Sequence, residues 1–293
     1  MPHSVKIALR LPGDLTRHGH FSFRLQQSLS TIPHTYQASR RLFVVSGSKD
    51  QFRPFCHLLI KHKVVNQNLR WTFGEGSLVI FGNSHDSSKP DANWWWFLYS
   101  LEQRAKAMGG VVHFLPGPYE LGQVNGSWQY EHPAYPAATD KSRSPFTALY
   151  SANFELKQWL SARNIVEKIG QLLFVHYDLL PFLTNRSFTL AAVNNFVRSL
   201  YIQQPVTLTT VSTVALPENH GLTIETVNSL LQQFNVKGLV TGNNLPITNS
   251  ISFDGKLVHT GTDYANDNPS GLFIKRHHFL QVDRKGHRVS IKL

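Results

Sequence analysis

Phe43-Val44-Val45-Ser46-Gly47-Ser48-Lys49-Asp50 decides how this chain is read. An apolar, β-branched run passes straight into a Gly-containing polar turn, which predicts a buried strand delivering side chains to one edge of a sheet. The form recurs in Leu78-Val79-Ile80-Phe81-Gly82-Asn83-Ser84-His85-Asp86 and again in Val111-Val112-His113-Phe114-Leu115-Pro116-Gly117-Pro118-Tyr119-Glu120. Three such strands predict a site built at the carboxyl ends of an α/β sheet. Helical spacing over Asn93–Met108, Phe154–Lys168, Phe188–Leu200 and Ile224–Phe234 supplies the alternating helices.

Further stretches carry a resemblance. Trp94-Trp95-Trp96-Phe97-Leu98-Tyr99-Ser100-Leu101-Glu102 leads through Ala105 and Ala107 into Gly109-Gly110 and the third strand. Downstream stand Gly126-Ser127-Trp128-Gln129-Tyr130, Ala148-Leu149-Tyr150 and the run from Trp159 to Gly170. Together with the strand-turn segments, these resemble the metallophosphoesterases (the calcineurin-like superfamily), in particular the bacterial, Shewanella-like branch of the phosphoprotein phosphatases. The likeness covers residues 40–275 or so. It implies an α/β sandwich of two mixed β-sheets flanked by helices, and a family activity of metal-dependent phosphoester hydrolysis.

The family motifs are Asp-x-His-Gly, Gly-Asp-x-x-Asp-Arg-Gly, Gly-Asn-His-Glu, His-Gly-Gly and Gly-His. Carried over by resemblance, the first motif's Asp falls on Gly47 and its His on Lys49. In the second, the bridging Asp falls on Asn83 and the Arg on Ser87, while Asp86 remains. In the third, the Asn ligand falls on Pro118 and the general-acid His on Tyr119, leaving Glu120. His176 is kept in the fourth, but Tyr177-Asp178 replaces Gly-Gly, and Asn243 takes the last motif's His position. Of the ligands that the resemblance implies, His176 alone remains.

Manganese, zinc or iron held in pairs needs carboxylate and imidazole ligands, with a bridging carboxylate to offset cation repulsion. Gly47 offers no ligand, Asn83 no charge, Pro118 no donor side chain, and Lys49 places a cation where a metal would sit. The expectation is a pseudophosphatase without a metal cofactor and with a binding or regulatory role. Lys49, Asp50, His85, Asp86, Tyr119, Glu120, His176 and Asp178 are expected to converge on one crevice. Either they pair with one another, or Lys49 replaces the metal charge and the crevice takes a phosphorylated or otherwise anionic ligand, or a protein partner. The alternative is an enzyme with weak or rewired hydrolase chemistry, either a phosphoesterase on divalent metal ions, in a pair or at a replacement site drawn from His176, His85, Asp86 and Glu120, or a metal-free hydrolase.

The chain of 293 residues, 41% hydrophobic, is long enough for a large core. No linker of Pro, Ser and Gly divides it, so a single domain over residues 41–293 is expected, preceded by an N-terminal extension (1–40) packed on it. Residues 122–150, with Pro133 and Pro136, read as a cap or loop insertion near the site. No apolar run reaches bilayer length, no signal-peptide core opens the chain, and a single cysteine fits a reducing compartment; a cytoplasmic protein is expected. Cys56, on the helical spacing of Phe52–Ile60, reads as a core thiol.

The net charge is +11, from 29 Lys and Arg against 18 acidic residues, an excess that suits acidic partners. Zinc-finger spacing and aromatic-basic RNA motifs are lacking, so specific nucleic-acid binding is not expected. The basic tail alternates Phe279, Leu280, Val282, Val289 and Ile291, which predicts a terminal hairpin turning at Asp283–Gly286 with its charges solvated. Asp254-Gly255 reads as a two-residue hairpin turn, with His259 and Asp263 beyond the following strand. His18 and His20 read as exposed, and His277-His278 as alternating across a strand. Four adjacent aromatics in a helix point about 100° apart, so one ring of Trp94-Trp95-Trp96-Phe97 is expected near the surface or under a loop. A surface ring there could anchor a partner.

Overall fold

A computed structural model describes residues 6–10, 20–25, 32–47, 52–82, 92–117, 120–121, 155–184, 188–202, 222–242, 249–261, 269–275 and 278–291. In chain order the strands are β1 (Lys6–Arg10), β2 (His20–Arg24), β3 (Thr35–Tyr36), β4 (Leu42–Ser46), β5 (Ser77–Phe81), β6 (Val111–Leu115), β7 (Val166–Ile169), β8 (Leu172–His176), β9 (Gly238–Gly242), β10 (Ser250–Ser252), β11 (Leu257–Thr260), β12 (Ser270–Lys275), β13 (His278–Asp283) and β14 (Arg288–Ile291). The helices are α1 (Phe52–Lys61), α2 (Ala92–Ala107), α3 (Glu155–Ser161), α4 (Leu180–Leu183), α5 (Leu190–Ile202) and α6 (Ile224–Gln233).

Two six-stranded mixed sheets pack face to face, ordered β14-β13-β12-β4-β5-β6 and β10-β11-β9-β8-β7-β3, and β1 pairs with β2 in a separate hairpin. This is the expected α/β sandwich. Strands β4, β5 and β6 run parallel, with Val44 beside Val79 and Val79 beside His113. Their unbroken apolar sequence follows from burial on both faces. Val44, Val79, Phe81 and Leu115 pack across the sandwich on Phe174, Val240 and Val258. The alternate residues Phe43, Val45, Leu78, Ile80 and Phe114 belong to the core on the other face, with α1 and α2. Cys56 is buried in α1. Among the described residues no helix is long and apolar enough to cross a membrane.

Several expectations are corrected. The helix expected over Phe154–Lys168 stops at Ser161, and Val166 opens β7. The Asn194 side chain sets that boundary: its oxygen accepts from Ile165 N at 2.9 Å and Val166 N at 3.3 Å, and its amide donates to Val166 O at 2.9 Å. The turn between β10 and β11 is wider than Asp254-Gly255, since Ser252 pairs directly with Leu257 and leaves Phe253 and Lys256 in the loop as well. Phe253, Asp254 and Gly255 all take positive φ there (53°, 53° and 85°).

The aromatic run holds no surface ring. Trp94, Trp95, Trp96 and Phe97 are all buried, none more than 5% exposed. Trp94 packs edge-on against Phe55 of α1, Trp95 against Phe114 of β6, and Phe97 against Phe52. Trp96, the ring left over, lies under the β1–β2 hairpin, 5.4 Å from Phe23. With a strand pair, a helix and a sheet around it, α2 has no solvent face at this turn, so the partner-anchor reading falls.

The terminal hairpin forms as expected, β13 antiparallel to β14. The Asp283 carboxylate accepts from Gly286 N and His287 N, closing the turn. His278 is exposed; His18, His277, Asp263 and the insertion at 122–150 lie outside the described residues.

Candidate functional site at the carboxyl ends of the strands

The parallel strands end level with one another. Gly47 N donates to Phe81 O and Gly82 N to Leu115 O, each at 2.8 Å, so the ladder continues one residue into each turn. In the facing sheet, His176 closes β8 beside Gly242 of β9, and Gly242 stands beside Thr260 of β11. A relay of buried hydroxyls ties the two sheets here. Ser46 Oγ donates to Thr260 O at 2.8 Å, and Thr260 Oγ1 donates to Thr241 O at 2.9 Å.

Glycines line this edge because other side chains occupy the space that theirs would fill. A Cβ at Gly82 would stand 2.6 Å from Glu120 Oε2, and one at Gly117 would stand 2.9 Å from His176 Cδ2 and 3.2 Å from Glu120 Oε2. Glu120 therefore reaches back over the ends of β5 and β6, where it accepts from Gly117 N at 2.9 Å. Both it and His176 are buried. A buried carboxylate and a buried imidazole thus flank the same glycine. At the first turn the occupant is different: a Cβ at Gly47 would meet Trp94 Cη2 at 2.6 Å and Cζ2 at 2.8 Å. An indole fills that corner.

His259 completes the far side. It lies within β11 rather than beyond it, half-buried, with Nδ1 3.1 Å from Thr241 Oγ1 and its ring 5.3 Å from that of Tyr177. Burial lowers its pKa below the usual histidine value, which keeps the ring neutral at pH 7. Of the residues expected to converge, Glu120 and His176 both flank Gly117, whereas the ring beside Gly47 is Trp94. Asp178 lies in the helical turn that follows His176. Lys49, Asp50, Asn83, His85, Asp86, Ser87, Pro118, Tyr119 and Asn243 lie outside the described residues. Among those described, no three His, Cys, Asp or Glu side chains cluster to hold a metal ion.

A second buried polar pair, placed mid-strand, escapes sequence reasoning. His113 Nδ1 lies 2.6 Å from Glu167 Oε2, joining β6 to β7 across the sandwich. Asn164 donates to the other carboxylate oxygen at 2.8 Å, and Tyr36 of β3 sets its ring edge-to-face with His113 at 4.5 Å. Burial, and then the Glu167 charge, push the Tyr36 hydroxyl well above its ordinary pKa, so it stays protonated. The signal that could have found the pair is a polar residue inside an otherwise apolar strand.

The fold so built is an α/β sandwich with its candidate site at one sheet edge, an architecture shared with solved phosphatase structures. It is similar to the 1.1 Å structure of a cold-active protein tyrosine phosphatase, with TM-score 0.77 and 23% identity over 95% of this chain and 92% of that one. A point mutant of a cold-active protein tyrosine phosphatase matches with TM-score 0.77, at 22% identity over 95% of this chain and 94% of that one. The cold-active protein-tyrosine phosphatase of a psychrophilic Shewanella species matches with TM-score 0.73, at 22% identity over 95% and 94%. Likeness at this identity establishes the fold alone. No family model matches the chain, and no curated relative matches it either.

Proposed function

We propose that this chain is a metallophosphoesterase-derived pseudophosphatase, a protein whose former active-site crevice binds rather than hydrolyses. The observation that carries the reading is the Trp94 ring at Gly47. The corner from which the family's first carboxylate would reach a metal is taken up by an indole. A pair of divalent cations does not fit the residues present: an indole and a glycine replace one ligand, Glu120 is drawn back onto Gly117 N, and the remaining motif positions carry Lys49, Asn83, Pro118 and Asn243. The ligand class that suits the crevice is an anion, phosphorylated or carboxylated, with Lys49 supplying charge that metals supply in the family.

The test is metal stoichiometry by plasma mass spectrometry after incubation with manganese, zinc and iron, together with turnover of p-nitrophenyl phosphate. The expected result is no stoichiometric metal and no turnover above a heat-treated control. Two metals per chain with turnover overturns the reading. A second reading, rewired hydrolysis, is favoured by the buried Glu120 and His176 flanking Gly117; it requires turnover that His176→Ala abolishes.

A further inference from the structure

Positive charge gathers away from that crevice, at the other end of β4. Where Arg41 leads into Leu42 and β12 runs out at Lys275, a cleft of about 700 Å³ opens between α1 and the terminal hairpin. Arg40, Arg41, Lys61, Lys63, Lys275 and Arg288 line it, all exposed, and among the described residues no Asp or Glu side chain does. Among the described residues none of the six pairs with a carboxylate. Asp283, the acid at the tip of the adjoining hairpin, commits its carboxylate to Gly286 N, His287 N and the His287 ring.

Two of these cations are held in place. The Arg41 guanidinium lies over the Phe73 ring, 4.2 Å from its centre. The Lys61 stem crosses Gly286, where any Cβ would stand 2.4 Å from Lys61 Cε. Below them His62 is buried with Nε2 2.7 Å from Asp283 O; its pKa is lowered by burial first, and Arg288 and Lys61 lower it further. Six like charges around one cleft repel one another, a cost that a bound anion removes.

We propose that this cleft is a binding site for a small, multiply phosphorylated anion, separate from the crevice and independent of whether the crevice hydrolyses anything. Guanidinium forks match phosphate oxygens, and three arginines with three lysines suit several phosphate charges better than one. The volume falls in the range of small-molecule sites, roughly 300–1,000 Å³. The floor does not suit single-stranded nucleic acid, which needs free ring faces for stacking. Phe279 is buried, and Phe273 packs on Phe43, Phe73 and His62.

Titration calorimetry with inorganic tripolyphosphate tests it on the full chain. Binding is expected, weakening as salt rises. In K61E/K275E/R288E the dissociation constant should rise at least about tenfold, whereas Lys49→Gln should leave it within about twofold. Because the triple change reverses much charge, Lys63→Gln and Lys275→Gln singly provide a milder pair, each expected to weaken binding about threefold. The proposal is overturned by failure of tripolyphosphate to bind, by unaltered affinity in the folded charge variants, or by loss confined to Lys49→Gln, which would place the anion in the crevice. Tight binding of an oligonucleotide that tripolyphosphate does not displace overturns it as well.

Discussion

Gly47 leaves room that a neighbour fills. Trp94 sits where a Cβ would go, held in turn by Phe52 and Phe55, so the ring has nowhere to retreat. Gly47→Ala is expected to cost about 1–3 kcal/mol through overpacking, seen as a lower urea midpoint at unchanged slope. Gly47→Asp adds an unpaired buried carboxylate and should cost more. Unchanged midpoints would mean that the indole moves freely and does not block the corner. At this scale Gly47, Glu120 and His176 were singled out only through the family resemblance, and the structure adds that Glu120 and His176 flank one glycine. The role of Trp94 was not legible, since nothing local to a tryptophan in a helix tells which distant glycine it covers.

Elements were legible where one kind of burial dominates. Strands β4, β5 and β6 announced themselves through runs that only double-sided burial allows. The boundary after α3 stayed hidden because Leu156, Trp159 and Leu160 continue smoothly into Arg163-Asn164, and the turn is imposed by Asn194 from another helix. The β1–β2 hairpin was equally silent, yet it is what lets α2 carry four aromatics in a row. Phe23→Ala should cost about 3 kcal/mol and uncover Trp96, so tryptophan emission shifts red and acrylamide quenching rises. Unaltered emission and quenching would mean that the hairpin does not seal this helix.

Sheet order and the pairing of poles belong to the whole molecule, and no window of sequence contains them: β12 joins β4 across most of the chain. Proton linkage also acts at this scale. Burial lowers the pKa of His259 in one sheet and of His62 beside the other, against an ordinary value of 6.5. The unfolded chain then binds more protons as pH falls through 6.5, so stability is full above that value and declines below it. The urea midpoint should hold steady down to about pH 7 and fall towards pH 5, less steeply in His259→Gln. Parallel decline in both proteins would assign the effect to other groups.

The basic cleft and the crevice stand at opposite ends of β4, a strand of five residues and roughly 13 Å. That separation gives the molecule a front and a back. A small anion captured at the back would sit a strand's length from the candidate site. Occupation of one end by a small anion imposes no steric exclusion on the other, so each end of β4 can be filled or empty without regard to its opposite.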